Sequence, residues 1–220
     1  MNLEEAKLKL SKYGQEQILR YFDELSDDEK AALLEQIDKT DMEVLSAIEH
    51  KSELVKKGEI TPLDAMELDE IKADYDTFKN TGVEAIKAGK VGAILLAGGM
   101  GTRLGSDNPK GMYNVGVNRE LYIFECLINN LMDVVNQTGA WIPLYIMTSD
   151  KNNKDTVEFF EEHNYFGYDK DYVKFFIQSM VPSVDYNGKL YMESTDSLAM
   201  SPNGNGGWFL SLIAAGLDKD

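Results

Sequence analysis

The sequence is short of the residues that would place it in several common classes. Cys126 is its only cysteine, which excludes an intrachain disulfide and removes any sign of an oxidising compartment, so a cytoplasmic location is expected. The two histidines, His50 and His163, lie far apart and have no metal-ligand spacing with a cysteine, so surface or helix-end roles are expected and no metal site is assigned. Basic residues are scarce: 22 Lys and Arg stand against 38 Asp and Glu, a formal net charge of −16. Such a field repels nucleic-acid backbones and anionic membranes, and neither is an expected partner. The opening Met1-Asn2-Leu3-Glu4-Glu5 lacks the basic start and apolar core of a signal peptide. No apolar run approaches membrane-spanning length, and a soluble protein is expected. Internal repeats and low-complexity tracts are also absent.

What is present is ordinary for a globular protein. Hydrophobic residues make up 43% and charged residues 27% of 220, enough to bury one substantial core. From Leu3 to about Ala88 apolar residues recur at helical spacing, as in Ile18, Phe22 and Leu25, then Leu33, Leu34 and Ile37. Ser26-Asp27-Asp28-Glu29 has the form of a capping box and predicts a helix after Ser26. Thr61-Pro62-Leu63-Asp64 reads as a second helix start, since threonine caps and proline is tolerated at the first helical position.

The pattern changes at Val91. The run Val91 to Ala97 is nearly continuously apolar and stops at glycines, as expected of a strand buried on both faces of a parallel sheet. A helix over Ile123 to Val135, a strand over Ile142 to Met147, a helix over Lys154 to Glu162 and a strand over Val173 to Ile177 follow. This alternation predicts a doubly wound α/β sheet, with an N-terminal helical extension over 1–90 and the sheet domain over 91–220. Asn187-Gly188 predicts a small hairpin within Ser183 to Met192, and Asn203 to Gly207 a loop that leads into a helix. Met180, Trp208 and Phe209 are expected to pack.

The chemistry is concentrated in Leu96-Ala97-Gly98-Gly99-Met100-Gly101-Thr102-Arg103-Leu104-Gly105, followed by Asp107-Asn108-Pro109-Lys110-Gly111. It stands at the carboxyl end of the first predicted strand, where open α/β sheets bind ligands. Glycines let the backbone approach a nucleotide, and successive N–H groups can cradle phosphate oxygens. Arg103 and Lys110 against Asp107 make this stretch locally basic inside an acidic chain. A guanidinium forks onto phosphate oxygens, and an ammonium follows charge developing on a transferring phosphorus. The loop is not a Walker A motif, because Lys110 follows Pro109 and precedes Gly111. A dinucleotide fingerprint begun at Gly99 meets Leu104 at its last position. A glycine turn used only for packing accounts for Gly98 and Gly99 but not for the Thr-Arg-Leu-Gly and Pro-Lys-Gly that follow.

The whole segment resembles the signature Leu-x-Gly-Gly-x-Gly-Thr-Arg-Leu-Gly-x-x-x-Pro-Lys-Gly of the eukaryotic-type UDP-sugar pyrophosphorylases, most closely the UDP-N-acetylhexosamine pyrophosphorylase group. Met147-Thr148-Ser149, Phe159-Phe160, Tyr165-Phe166-Gly167, Phe176-Ile177-Gln178, Gly188-Lys189 and Gly204-Asn205-Gly206-Gly207 follow in family order, and Gly14 to Gln17 and Leu33 to Ile37 resemble its N-terminal helices. The resemblance implies a Rossmann-like, GT-A-like nucleotidyltransferase sheet and transfer of uridylyl from UTP to a sugar 1-phosphate, with Mg2+ as cofactor. It places Leu96, Ala97, Gly98 and Gly99 along the uridine and its phosphate, Arg103 on the β- and γ-phosphates and Lys110 on the α-phosphate. Gln178 would read the uracil edge with Gly204 packed close to it. Asn205, where glucose-specific relatives usually have histidine, favours N-acetylglucosamine or another N-acetylhexosamine over glucose. The chain departs from the family at Ser179 and Asn203, where Gly and Asp are usual. The resemblance further implies that Asp220 precedes the family's metal-binding aspartate, much of its sugar pocket and a later lysine. On that basis the chain alone is expected to bind nucleotide, with its own turnover left open.

Overall fold

A computed structural model describes residues 1–45, 59 and 61–219. His50 lies outside the described residues. The chain packs as two units, Met1–Pro62 with Met180–Asn203, and Leu63–Ser179 with Gly204–Asp220. This packing boundary falls elsewhere than the sequence break at residue 90, because the helix Tyr75–Lys87 packs on the helix Ile123–Thr138 of the sheet unit while the strands after Met180 pack on the N-terminal helices.

The first unit begins with α1 (Leu3–Lys12) and α2 (Asp27–Lys39). Both start on capping boxes. Ser26 accepts from the Glu29 N–H while Glu29 accepts from the Ser26 N–H at 2.7 Å, as the sequence predicts. The Ser26 hydroxyl, and then its backbone N–H, hold the exposed Glu29 carboxyl below its ordinary pKa. Between the helices, Ile18 and Phe22 sit in two 3-10 turns, Glu16–Leu19 and Phe22–Glu24, instead of one α-helix. Each turn still buries its apolar residue against Ala6, Leu10, Leu33 and Ile37, all fully buried. Burial of each such Leu, Ile or Phe contributes roughly 1.5–3 kcal/mol.

Polar side chains fasten the strands of this unit to its helices. Buried Gln15 donates to the Gly188 carbonyl at 2.8 Å and accepts from the Leu190 N–H at 2.9 Å, and Gln36 accepts from the Leu198 N–H at 2.9 Å. The strands are β4 (Met180–Pro182) paired antiparallel with β7 (Met200–Pro202), and β5 (Met192–Ser194) with β6 (Ser197–Leu198). The turn expected at Asn187-Gly188 is present, with Gly188 at φ 79° and one bridge, Val184 to Leu190, closing it.

At the end of α2, Lys9 donates to the carbonyls of Ile37, Asp38 and Thr40 at 2.8–2.9 Å, satisfying acceptors that a helix end leaves without partners. Lys9→Met keeps the stem and removes the charge-assisted bonds. It should cost about 1.5–3 kcal/mol, the scale of hydrogen bonds to a charged group, read as a lower urea midpoint of the whole chain. An unchanged midpoint would show that water replaces the ammonium without loss.

In the second unit, the helix expected from Thr61-Pro62 does not start there. Residues 61–67 carry no helix, Leu63 is 95% exposed, and α3 (Leu68–Ala73) begins where Glu70 accepts from the Glu67 N–H at 2.7 Å. The helix that does form buries no residue either, and its start is marked by the Glu70 carboxylate on the Glu67 N–H. After α4 (Tyr75–Lys87) comes a parallel sheet of β1 (Ala93–Leu96), β2 (Leu144–Thr148) and β3 (Val173–Ile177), in that spatial order. The connecting helices are α5 (Ile123–Thr138) and α6 (Asn153–Glu162), and α7 (Trp208–Ala214) closes the unit.

Alternation along β2 decides the layers. Leu144 and Ile146 face a core with Phe124 and Ile128 of α5 and Phe159 and Phe160 of α6, while Met147 faces Leu212 of α7. Helices therefore cover both faces, the doubly wound arrangement expected. One expectation is corrected. β1 is the edge strand among the described residues, and Ile94 and Leu96 are each 39% exposed, so the apolar run is not buried on both faces. Its continuous apolar character cannot tell a central strand from an edge strand.

Beyond α6, Asn164, Tyr165 and Phe166 all adopt positive φ, near 50°, which costs non-glycine residues about 1–2 kcal/mol each. Rings hold the turn: Phe166 lies edge-on to Phe160 at 5.5 Å and stacks on His163 at 5.2 Å. His163 ends α6 with Nδ1 2.9 Å from the Phe159 carbonyl, the helix-end role expected for it.

Candidate functional site

The glycine-rich segment leaves the carboxyl end of β1 and folds back on itself. Gly101 donates to the Asn108 carbonyl at 2.8 Å and Lys110 to the Gly99 carbonyl at 3.1 Å, a bridge centred on Met100 and Pro109. The tip between them contains a 3-10 turn, Thr102–Leu104, stopped by Gly105 at φ 71°. Glycine is needed at Gly101 for space, since a Cβ there meets the Asn108 carbonyl at 2.9 Å. The fold-back sets Lys110 beside Gly99 and carries Arg103 on the exposed turn. Both side chains are exposed, and among the described residues neither makes an ion pair. They are cations held near a backbone loop without protein counter-charges.

The backbone N–H groups of Gly98, Gly99 and Met100 have no hydrogen-bond partner among the described residues. Three successive free donors at a strand's carboxyl end form an acceptor-seeking surface, which suits phosphate or a base carbonyl.

Gln178 follows β3 directly and is held by its own N–H, which donates to the Thr148 carbonyl at 2.9 Å. The residue is 6% exposed, and its carboxamide, which still reaches solvent, has no hydrogen-bond partner among the described residues. It lies against Gly98: a Cβ built on Gly98 would stand 2.4 Å from Gln178 Nε2. The structure thus brings together Gly98 and Gln178, 80 positions apart in the chain, and leaves a donor and an acceptor ready beside the free N–H groups.

Ser179, at the position where the family usually has glycine, ties this corner to α7. Its N–H donates to the Ser211 hydroxyl at 3.0 Å and the two hydroxyls lie 3.2 Å apart. That helix opens right after Gly204 and Asn205, both exposed. A Cβ on Gly204 meets nothing within 4 Å, so the residue is required there by its φ of 73° instead of by the close packing expected. Trp208 packs beneath Met147 and Phe176, whereas Phe209 is 52% exposed, against the expectation that both pack. Leu96 and Ala97 reach the loop as the end of the strand, Ala97 donating to the Met147 carbonyl at 2.7 Å.

Gly111 is buried under Lys110 because a Cβ there would meet the Phe124 ring at 2.1 Å. Asn152 was not legible as a site residue. It stands before α6 and reads as a cap, but its side chain reaches the Ala97 carbonyl, 55 residues away in sequence. No group of three or more His, Cys, Asp or Glu side chains able to hold a metal occurs among the described residues. The donor set here does not fit a resident cation. No helix among the described residues is long and apolar enough to cross a membrane.

Comparison with known proteins identifies related sequences and structures. The family described as UTP--glucose-1-phosphate uridylyltransferase matches residues 36–219. The chain is 34% identical to UDP-N-acetylglucosamine diphosphorylase 2 of Arabidopsis thaliana, over 96% of this chain and 46% of that protein. It is also 34% identical to a probable UDP-N-acetylglucosamine pyrophosphorylase of Dictyostelium discoideum, over 100% of this chain and 49% of that one. The crystal structure of the Trypanosoma brucei UDP-N-acetylglucosamine pyrophosphorylase superposes with a TM-score of 0.70 at 31% identity, over 95% of this chain and 44% of that one. The chain spans about half the length of the curated relatives it matches. With the match covering most of its length, the chain belongs to the UTP--glucose-1-phosphate uridylyltransferase family.

Proposed function

We propose that this chain carries the UTP-binding part of a uridylyltransferase that joins UTP to N-acetylglucosamine 1-phosphate, or a related N-acetylhexosamine 1-phosphate, and releases pyrophosphate. The observation that carries the reading is the unpartnered carboxamide of Gln178, which reaches solvent against Gly98 beside a run of free backbone N–H groups. A carboxamide offers one donor edge and one acceptor edge, which is what the imide edge of uracil requires. The same carboxamide can also pair with the 6-amino edge of adenine, so the choice between the bases is read by titration.

In the reaction, an oxygen of the sugar phosphate attacks the α-phosphorus in line, the bond from that phosphorus to the bridging oxygen breaks, and pyrophosphate leaves. Leu96 and Ala97 bring the strand end alongside the uridine. The N–H groups of Gly98 and Gly99 face its phosphate, Lys110 follows charge on the α-phosphoryl group, and Arg103 holds the β- and γ-phosphates. Gly204 turns the chain so that Asn205 stands toward the sugar. Mg2+ would come with the triphosphate and offset its charge, and no step assigned to these residues runs through it.

The N-acetylated sugar is favoured by Asn205 and by the names of the relatives. Glucose 1-phosphate is the second reading, since the family description names it. Competition between the two sugar phosphates in a catalytically competent form separates them. The UTP reading itself is tested by calorimetric titration of this chain with UTP and Mg2+, with ATP as control. Saturable UTP binding with ATP at least ~10-fold weaker is expected from a base-reading pocket. Equal binding of both nucleotides, or of neither, would sink the uridine pocket.

A further inference from the structure

Asn152 immediately precedes α6, where an asparagine ordinarily turns its side-chain oxygen onto the first free N–H groups of the helix. Here it makes no such cap bond. The side chain is fully buried and turns away from the helix: its Oδ1 accepts from the Ser149 N–H at 2.8 Å, and its Nδ2 donates to the Ala97 carbonyl at 2.9 Å. Next to it, Thr148 Oγ1 donates to Asn153 Oδ1 at 2.6 Å and lies 3.1 Å from the Phe176 carbonyl. The ends of β1, β2 and β3 are therefore joined through one small polar cluster.

Its consequence for the loop follows from peptide geometry. The unit joining Ala97 to Gly98 is planar and trans, so its C=O and N–H point in opposite directions. Fixing the Ala97 carbonyl on Asn152 fixes the direction of the Gly98 N–H, the first of the free donors. The Ala97 N–H is held on the other side by the Met147 carbonyl at 2.7 Å, so the strand end cannot roll without breaking one of these bonds. A glycine that follows has no side chain to limit its own rotation. The restraint has to come from outside the loop, and Asn152 supplies it.

We propose that Asn152 is a positioning residue of the nucleotide site: it touches no substrate, and it aims the Gly98 N–H and seats Gly98 against Gln178. The proposal rests on the UTP reading for its function, but the aiming itself is a property of the free chain.

Two variants separate aiming from mere support. Asn152→Asp, at pH 8, keeps an acceptor for the Ser149 N–H and replaces the donor that faces Ala97 with an oxygen. Asn152→Leu removes both bonds at similar volume. If Asn152 only supports the turn before α6, N152D lowers the melting temperature of the chain but leaves its UTP affinity and its Gly98 and Gly99 resonances as in wild type. If it aims Gly98, N152D weakens UTP by about 10-fold or more in calorimetric titration, the size of a lost hydrogen bond in a closed site, with a folded far-UV spectrum. N152L is expected to lose at least as much, and should it fail to fold, N152D alone decides.

A second readout needs no nucleotide. In amide NMR spectra of the free chain, N152D is expected to shift the Gly98 and Gly99 resonances, with Leu190 and Leu198 in the other unit unmoved. Unshifted glycine resonances in N152D would overturn the proposal. A wild-type chain that does not bind UTP would count against the UTP reading alone, and the glycine resonances would still decide the aiming.

Discussion

Gly98→Ala is expected to reduce the affinity of the chain for UTP by about 100-fold while leaving its melting temperature almost unchanged. The new methyl would lie 2.4 Å from Gln178 Nε2, 3.0 Å from Cδ and 3.3 Å from Oε1. Something must move, and the atoms in the way are the far end of a flexible side chain that no hydrogen bond anchors among the described residues. Gln178 can swing aside at little cost, so the fold survives. What does not survive is the juxtaposition of its carboxamide with the loop. A site that has lost its base-reading pair forfeits roughly 1–3 kcal/mol per unmade bond, and the methyl also stands where the backbone approaches the nucleotide. Calorimetric titration with UTP and a thermal melt of the same sample check both halves. Unchanged UTP affinity would remove Gln178 and Gly98 from the site; a collapsed melting temperature would mean that Gln178 is held more firmly than its lack of partners indicates.

The sheet and its two faces could be read from the sequence because apolar periodicity and glycine punctuation are local signals. Val173–Ile177 is a strand over the predicted residues, and the helix from Ile123 overran its expected end only to Thr138, where Gly139 at φ 69° stops it. Errors arose where tertiary context decides. Thr61-Pro62 carries the right residues for a helix start, yet helix waits for Leu68, where the Glu70 carboxylate accepts from the Glu67 N–H. Val91 to Ala97 is apolar enough for a central strand, yet β1 lies at the edge among the described residues.

The site divides in the same way. Its loop is a contiguous run whose glycines, Arg103 and Lys110 announce phosphate chemistry. The resemblance put Gly98 and Gln178 at the same nucleotide but paired Gln178 with Gly204; its contact with Gly98 comes from the structure alone, since no local rule pairs residues so far apart. Asn152 gave no local signal of its role, because an asparagine before a helix already has a sufficient explanation as a cap. Its bond to Ala97 exists only once β1 and β2 are side by side.

The other large effect concerns charge, and it should separate Lys110 from Arg103 in a catalytically competent form of the protein. Lys110→Met is expected to lower kcat by about 10²–10³-fold with little change in KM, the loss seen when one preorganised donor to developing charge is removed. Lys110 is set by its own backbone bond to Gly99 and by the packing of Gly111 on Phe124, so its ammonium stem starts from a fixed point. Such a group is placed to follow charge that grows on the α-phosphoryl group in the transition state. Arg103 rides on the exposed tip of the loop and is assigned to the outer phosphates, which carry their charge before the reaction as well as during it. An interaction present equally in both states mostly alters KM. Arg103→Met should therefore raise the KM for UTP more than it lowers kcat. Raising ionic strength should weaken UTP binding to wild type more than to Arg103→Met, since an exposed cation is screened within about 10 Å at 0.1 M salt. Steady-state kinetics of the two variants decide between the roles. Should Lys110→Met change only KM, the ammonium acts on bound UTP and not on its transfer, and the catalytic assignment passes from this loop to residues elsewhere.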